Sequence, residues 1–87
     1  MEEQNPRPNR IQTFKFPDIK NRYQETREIS IDLEKIESVH VQLNNQIYVL
    51  KIQLSTLMVT VDFDNRMDKA IEGRDSVIER WRKYYGE

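Results

Sequence analysis

From Glu28 to Phe63 apolar and polar residues alternate with a period of two, and beyond Asn65 the period changes to three and four. A period of two is the mark of a strand with one dry face and one wet face. Ile29, Ile31 and Leu33 alternate with Ser30, Asp32 and Glu34, and Val39, Val41 and Leu43 alternate with Ser38, His40 and Gln42. The intervening Glu34-Lys35-Ile36-Glu37 reads as a bend, a bulge or a helical turn. Asn44-Asn45 reads as a two-residue hairpin turn, because asparagine tolerates the left-handed backbone such turns need. The following strand sets Tyr48, Leu50, Ile52 and Leu54 against Ile47, Val49, Lys51 and Gln53. Ser55-Thr56 is a tight link to a last strand, with Leu57, Val59, Val61 and Phe63 on one face and Met58, Thr60 and Asp62 on the other.

The helical period begins after a capping residue, Asp64 or Asn65, whose side chain would accept a free backbone N–H of the first turn. Met67, Ala70, Ile71, Val77, Ile78, Trp81, Tyr84 and Tyr85 form one broad stripe. Asp68 near the start and Arg80, Arg82 and Lys83 near the end suit the helix dipole, and Gly86 is the expected stop after about Tyr85. Gly73 costs about 1 kcal/mol relative to alanine in a helix interior, so its presence implies a close approach of helix to sheet.

Upstream the pattern is weaker. Residues 1–10 contain Pro6 and Pro8 and no apolar side chain after Met1, which predicts an extended arm. Ile11 to Phe16 alternate and are stopped by Pro17, as in a short edge strand or a docked arm. Ile19 and Tyr23, four apart in a polar stretch, have the spacing of one helical turn. The expected organisation is an extended basic arm over 1–27, with a short edge strand at 11–16, and one folded domain over 28–87. The expected fold is α+β: an antiparallel three- to four-stranded meander with one long C-terminal helix on one face, in two layers. Its core is expected from Val39, Val41, Leu43, Tyr48, Leu50, Ile52, Leu54, Leu57, Val59, Val61 and Phe63, with Ile71, Val77, Ile78 and Trp81 from the helix.

Composition narrows the setting. There is no cysteine among the 87 residues, hence no disulfide and no thiol chemistry, which fits a cytoplasmic protein. No apolar run reaches the ~18 residues of a membrane span, and with the polar Met1-Glu2-Glu3-Gln4-Asn5 at the start no signal peptide is expected. The net charge of −1 conceals a division. Residues 5–27 hold six cations against Asp18 and Glu25, residues 28–79 hold ten acids against five bases, and Arg80, Arg82 and Lys83 face only Glu87 at the end. The basic flanks suit either a partner or the acidic middle.

Catalytic chemistry has little to build on. His40, the one histidine, lies on the wet face with no motif linking it to a nucleophile or metal co-ligand. Asp62, Asp64 and Asp68 lack the central glycine and distal glutamate of a calcium loop. Only Gly73 and Gly86 are glycines, so no phosphate-binding loop exists, and neither a nucleophile elbow nor an HExxH motif occurs. No enzyme, cofactor, metal or small-molecule substrate is expected.

Partner surfaces are better supported. Ile47, Val49 and Met58 stand among His40, Gln42, Lys51, Gln53 and Thr60 on the wet face, a charge-poor composition found in interfaces. With Phe14 and Phe16 of the arm and Tyr85 at the helix end, these residues predict a small interaction module. It would bind another protein or a second copy, through the sheet face, the sheet edge or the arm. Accessory subunits and small regulators of bacteria and their phages are built on this scale. The alternative is nucleic-acid binding. Arg7, Arg10, Lys15, Lys20 and Arg22, interleaved with aromatics, would act with Arg82 and Lys83, since cations track phosphates and rings stack on bases. A sequence pI near 5.9 weighs against it.

Overall fold

The structure, a computed structural model, describes residues 9–17 and 26–86. Five strands precede one helix: β1 (Ile11–Pro17), β2 (Thr26–Asp32), β3 (Ile36–Asn44), β4 (Ile47–Leu54), β5 (Met58–Asp62) and α1 (Met67–Tyr84). A 3-10 turn, Leu33–Lys35, joins β2 to β3. The class is α+β, as the alternation predicts. The strands form two antiparallel sheets: a ribbon β1-β2 and a three-stranded sheet β3-β4-β5. The expected meander is therefore the second sheet, and α1 packs over its β3 and β4 strands.

The β3-β4 turn is Asn45-Gln46, one residue later than the expected Asn44-Asn45. Both turn residues are left-handed, at φ 50° and 67°, and Asn44 pairs with Ile47 across them. The slip leaves the faces intact, because Leu43 opposes Tyr48, Val41 opposes Leu50 and Val39 opposes Ile52. A bulge between Ile36 and Ser38 then inverts the alternation once, so Ile36 joins Leu54 in the core. The Ser55-Thr56 link is as expected: the Leu54 N–H donates to the Leu57 carbonyl (2.8 Å), and the Ser55 N–H bonds the Lys35 carbonyl (2.9 Å).

Helix initiation differs from expectation. Neither Asp64 nor Asn65 caps α1; Arg66 holds the cap position without a side-chain cap bond. The reason is that the ladder continues past β5. The Phe63 N–H bonds the Tyr48 carbonyl (2.8 Å) and the Tyr48 N–H bonds the Asp64 carbonyl (2.7 Å). Asp64 is thus held beside β4 with a left-handed φ of 52°, and its N–H is taken by the Asp62 carboxylate at 2.7 Å. The helix starts only once the chain has cleared the sheet. It ends as predicted, with Gly86 at φ 84° and its N–H on the Lys83 carbonyl.

One continuous core joins both sheets and the helix: Phe14, Phe16, Ile31, Leu33, Ile36, Leu50, Ile52, Leu54, Val61, Phe63, Ala70, Val77 and Tyr84. Phe16 meets Phe63 edge to face at 6.1 Å, and Phe14 stacks on Phe16 at 6.2 Å. The Arg80 guanidinium lies 4.6 Å from the Phe14 ring centre and donates to the Thr13 carbonyl (3.0 Å). These contacts clamp the ribbon to one flank of α1. Leu43 and Leu57, expected in the core, are exposed. Leu43 ends an edge strand and Leu57 adjoins a hairpin link, both outside the area one helix covers.

Candidate functional site

The expected partner-binding residues do not form one surface. Phe14 and Phe16 are 1% and 2% exposed, so they belong to this chain's own core and offer nothing to a partner. The weak alternation at 11–16 signals a strand, but its pairing to β2, with Phe14 opposite Ile29 and Phe16 opposite Arg27, makes it half of the ribbon instead of an edge of the main sheet. Arg27 itself has a buried Nε without a hydrogen-bond partner.

On the outer face of the main sheet, His40, Lys51 and Thr60 form one cross-strand row. Val49 lies in the next row, between Gln42 and Asp62, and Met58 opposes Gln53 in the row beyond Lys51. The rows bring His40, Lys51 and Val49 together, with Ile47 along the strand from Val49. The His40–Lys51–Thr60 row separates Met58 from Val49. Val49 is only 9% exposed, because a valine on the central strand is shadowed by longer neighbours on both sides. The expected apolar patch is therefore broken by Lys51 and Gln53.

A different surface is continuous. The flank of α1 turned away from the ribbon carries Met67, Ile71, Ile78, Trp81 and Tyr85, spaced by three, four and seven. Met67 and Tyr85 are exposed, Tyr85 by 57%, and the other three are half-buried. Beside this flank runs the open edge of β3, with Val39 and Val41 half-buried and Leu43 56% exposed. A groove of about 580 Å³ between the two is lined by Ile36, Ile78, Trp81, Arg82 and Tyr85. The sequence pattern contained this signal. The helical stripe is wider than one contact face requires, and α1 buries only Ala70, Gly73, Val77 and Tyr84.

The backbone polarity of that edge follows from the turn. A two-residue hairpin makes its flanking pair, Asn44 and Ile47, the first doubly bonded pair. The even-numbered residues of β3 then bond β4, whereas Val39, Val41 and Leu43 point their N–H and C=O groups outward. The bonds of Tyr48 and Leu54 toward the β5 side agree with this alternation. Among the described residues no strand pairs with the outer edge of β3.

Much of the described basic character is engaged internally. Arg10 forms a bidentate pair with Asp32 at 2.9 and 2.7 Å and lies 3.8 Å from Glu34. Lys15 faces Glu28 at 3.9 Å and Lys83 faces Glu79 at 4.0 Å. Arg82 borders the groove. Arg7, Lys20 and Arg22, and with them the Ile19–Tyr23 turn, lie outside the described residues. No three histidine, aspartate or glutamate side chains converge on a metal-sized site among the described residues, and no described helix is long and apolar enough to cross a membrane.

The Arg10–Asp32 pair closes the corner where ribbon meets sheet. Asp32 also accepts the Glu34 N–H (3.1 Å), and the Leu33 N–H bonds the Arg10 carbonyl (2.8 Å). The Arg10 hydrogen bond, aided by the Glu34 N–H, holds the Asp32 carboxyl below its ordinary range. A depressed carboxyl stabilises the fold above its unfolded pKa of about 4 and loses that contribution as pH falls through the folded value. The stability gap between wild type and Asp32→Asn is therefore expected to be widest near neutrality and to close below about pH 4, read as urea midpoints across pH. Parallel midpoints would show that Asp32 is unpaired in solution.

Comparison with protein-family models, curated proteins and solved structures returns no match for this chain.

Proposed function

We propose that the protein is a small, non-enzymatic protein–protein interaction module of the cytoplasm, and that it docks its partner along the open β3 edge and the adjoining flank of α1. One observation carries this reading. A strand edge that no strand pairs among the described residues, with exposed Leu43, lies beside a helix flank carrying Ile71, Ile78, Trp81 and exposed Tyr85. Strand addition uses such a pairing of parts: backbone bonds supply affinity, and apolar contacts with the neighbouring helix supply selectivity. Trp, Tyr and Arg, the residue types most often dominant in binding energy, occur together here as Trp81, Tyr85 and Arg82. The outer sheet face around His40 and Lys51 would form the rim of the same contact.

A photo-crosslinking residue at Leu43 tests this in cells. Protein adducts are expected from Leu43 and not from Ile11, which is equally exposed but lies on the ribbon. Adducts at Thr60 alone would move the contact to the outer sheet face, and none at either position would end the protein-binding reading.

A further inference from the structure

We propose that the occupant of the β3 edge is a second copy of this chain, paired antiparallel through β3 about a two-fold axis at His40. This rests on the protein-binding reading above and names its partner.

The edge itself argues for self-pairing. Natural edge strands are kept short, or guarded with lysine, proline or an inward-pointing charge. Residues 38–44, Ser-Val-His-Val-Gln-Leu-Asn, contain no lysine, proline or fixed charge. The bulge at the start of β3 twists only that end. The opposite edge, β5, has five residues against nine and ends in Asp62. β3 is thus the long, unguarded side of the sheet.

The register is self-consistent. In an antiparallel pair about His40, Val39 meets the second copy's Val41, and both have outward-directed N–H and C=O groups. Each such pair closes two backbone bonds. Ser38 meets Gln42 on the wet face, and Val meets Val on the dry face. No fixed charge in 38–44 opposes a like charge.

The helices favour a second copy over a foreign peptide. Because α1 packs over β3 and β4, strand spacing places the two helices about 10 Å apart once the sheets join, near the 8–10 Å of packed helices. A lone extended peptide would satisfy the strand edge but bring no second helix for Ile71 and Ile78. A second copy covers both at once, giving a six-stranded sheet with two helices on one face.

Sedimentation velocity on the intact chain, from low to high micromolar, tests the proposal. The expected result is a doubling of mass with concentration. Val41→Pro removes one outward N–H without touching a β4 bond, so it should stay folded and monomeric. Amide exchange of the wild type gives an independent readout should that variant unfold. Val39, Val41 and Leu43 amides should gain protection as concentration rises, while His40 and Gln42 are protected throughout. A monomer at every concentration, with Val39 and Val41 exchanging freely, overturns the second copy. Protection of those amides only when a different protein is added overturns it too, yet leaves the protein-binding reading standing. A dimer whose Val39 and Val41 amides stay unprotected overturns the β3 register.

Discussion

Phe16→Ala is expected to lower the melting temperature by at least ~12 °C. Phe16 is 2% exposed, touches Phe63 edge to face and stacks with Phe14. Truncating a buried phenylalanine costs about 3–5 kcal/mol, from lost transfer free energy and from the cavity left behind. A domain of this size has a total stability on the order of 5–10 kcal/mol, so one substitution removes a third or more of it. Each kcal/mol corresponds to roughly 4–8 °C of melting temperature in so small a domain, which predicts a fall of at least ~12 °C. The comparison that matters is Ile11→Ala on the same strand. Ile11 is exposed on the opposite face of the ribbon, and its truncation is expected to change stability by less than ~0.5 kcal/mol. If Phe16→Ala melts like wild type, β1 is a detachable arm, and the residues near 11–16 return to being candidates for a partner.

Phe14 and Phe16 show where reading from sequence stops. Alternation over six residues reveals a strand, but not which strand it joins. That choice depends on β2, whose Ile29 and Ile31 supply the facing apolar positions across an intervening stretch. The meander was legible because short links force neighbours to pair, and the face of each strand survived the one-residue slip of the turn to Asn45-Gln46. The helix boundary was misplaced for a tertiary reason. Asp64 has the right chemistry for a cap, but its carbonyl is engaged by Tyr48. The proposed docking surface is half legible. Tyr85 lines the groove beside Ile78 and Trp81, whereas Val49 and Met58 point to a face that Lys51 and Gln53 divide. Sequence tells inside from outside along one strand; lateral neighbours come only from register.

Gly73 allows a second large effect to be argued from geometry. A Cβ at this position would lie 3.2 Å from Phe16 Cε1, 3.2 Å from Phe63 Cζ and 3.3 Å from Leu50 Cδ2. All three side chains are in the core, and the two rings are set against each other, so yielding for one methyl displaces the contact between ribbon and sheet. Gly73→Ala gains about 1 kcal/mol of helix propensity and is expected to lose slightly more to crowding, for a small net destabilisation. Gly73→Val has a smaller propensity offset. It adds two further methyl groups on a stiff β-branched side chain, and crowding alone costs about 3 kcal/mol, the upper end for overpacked cores. The expected order of urea midpoints is Gly above Ala above Val. Crowding against Phe16 also predicts coupling: in a Phe16→Leu background, which is weaker at the outset, Gly73→Ala should turn neutral or stabilising. The resulting interaction energy of roughly 0.5–1 kcal/mol is measurable in a double-mutant cycle. A strictly additive cycle would mean that ribbon and helix do not touch at this glycine, and that its occurrence inside α1 has another cause.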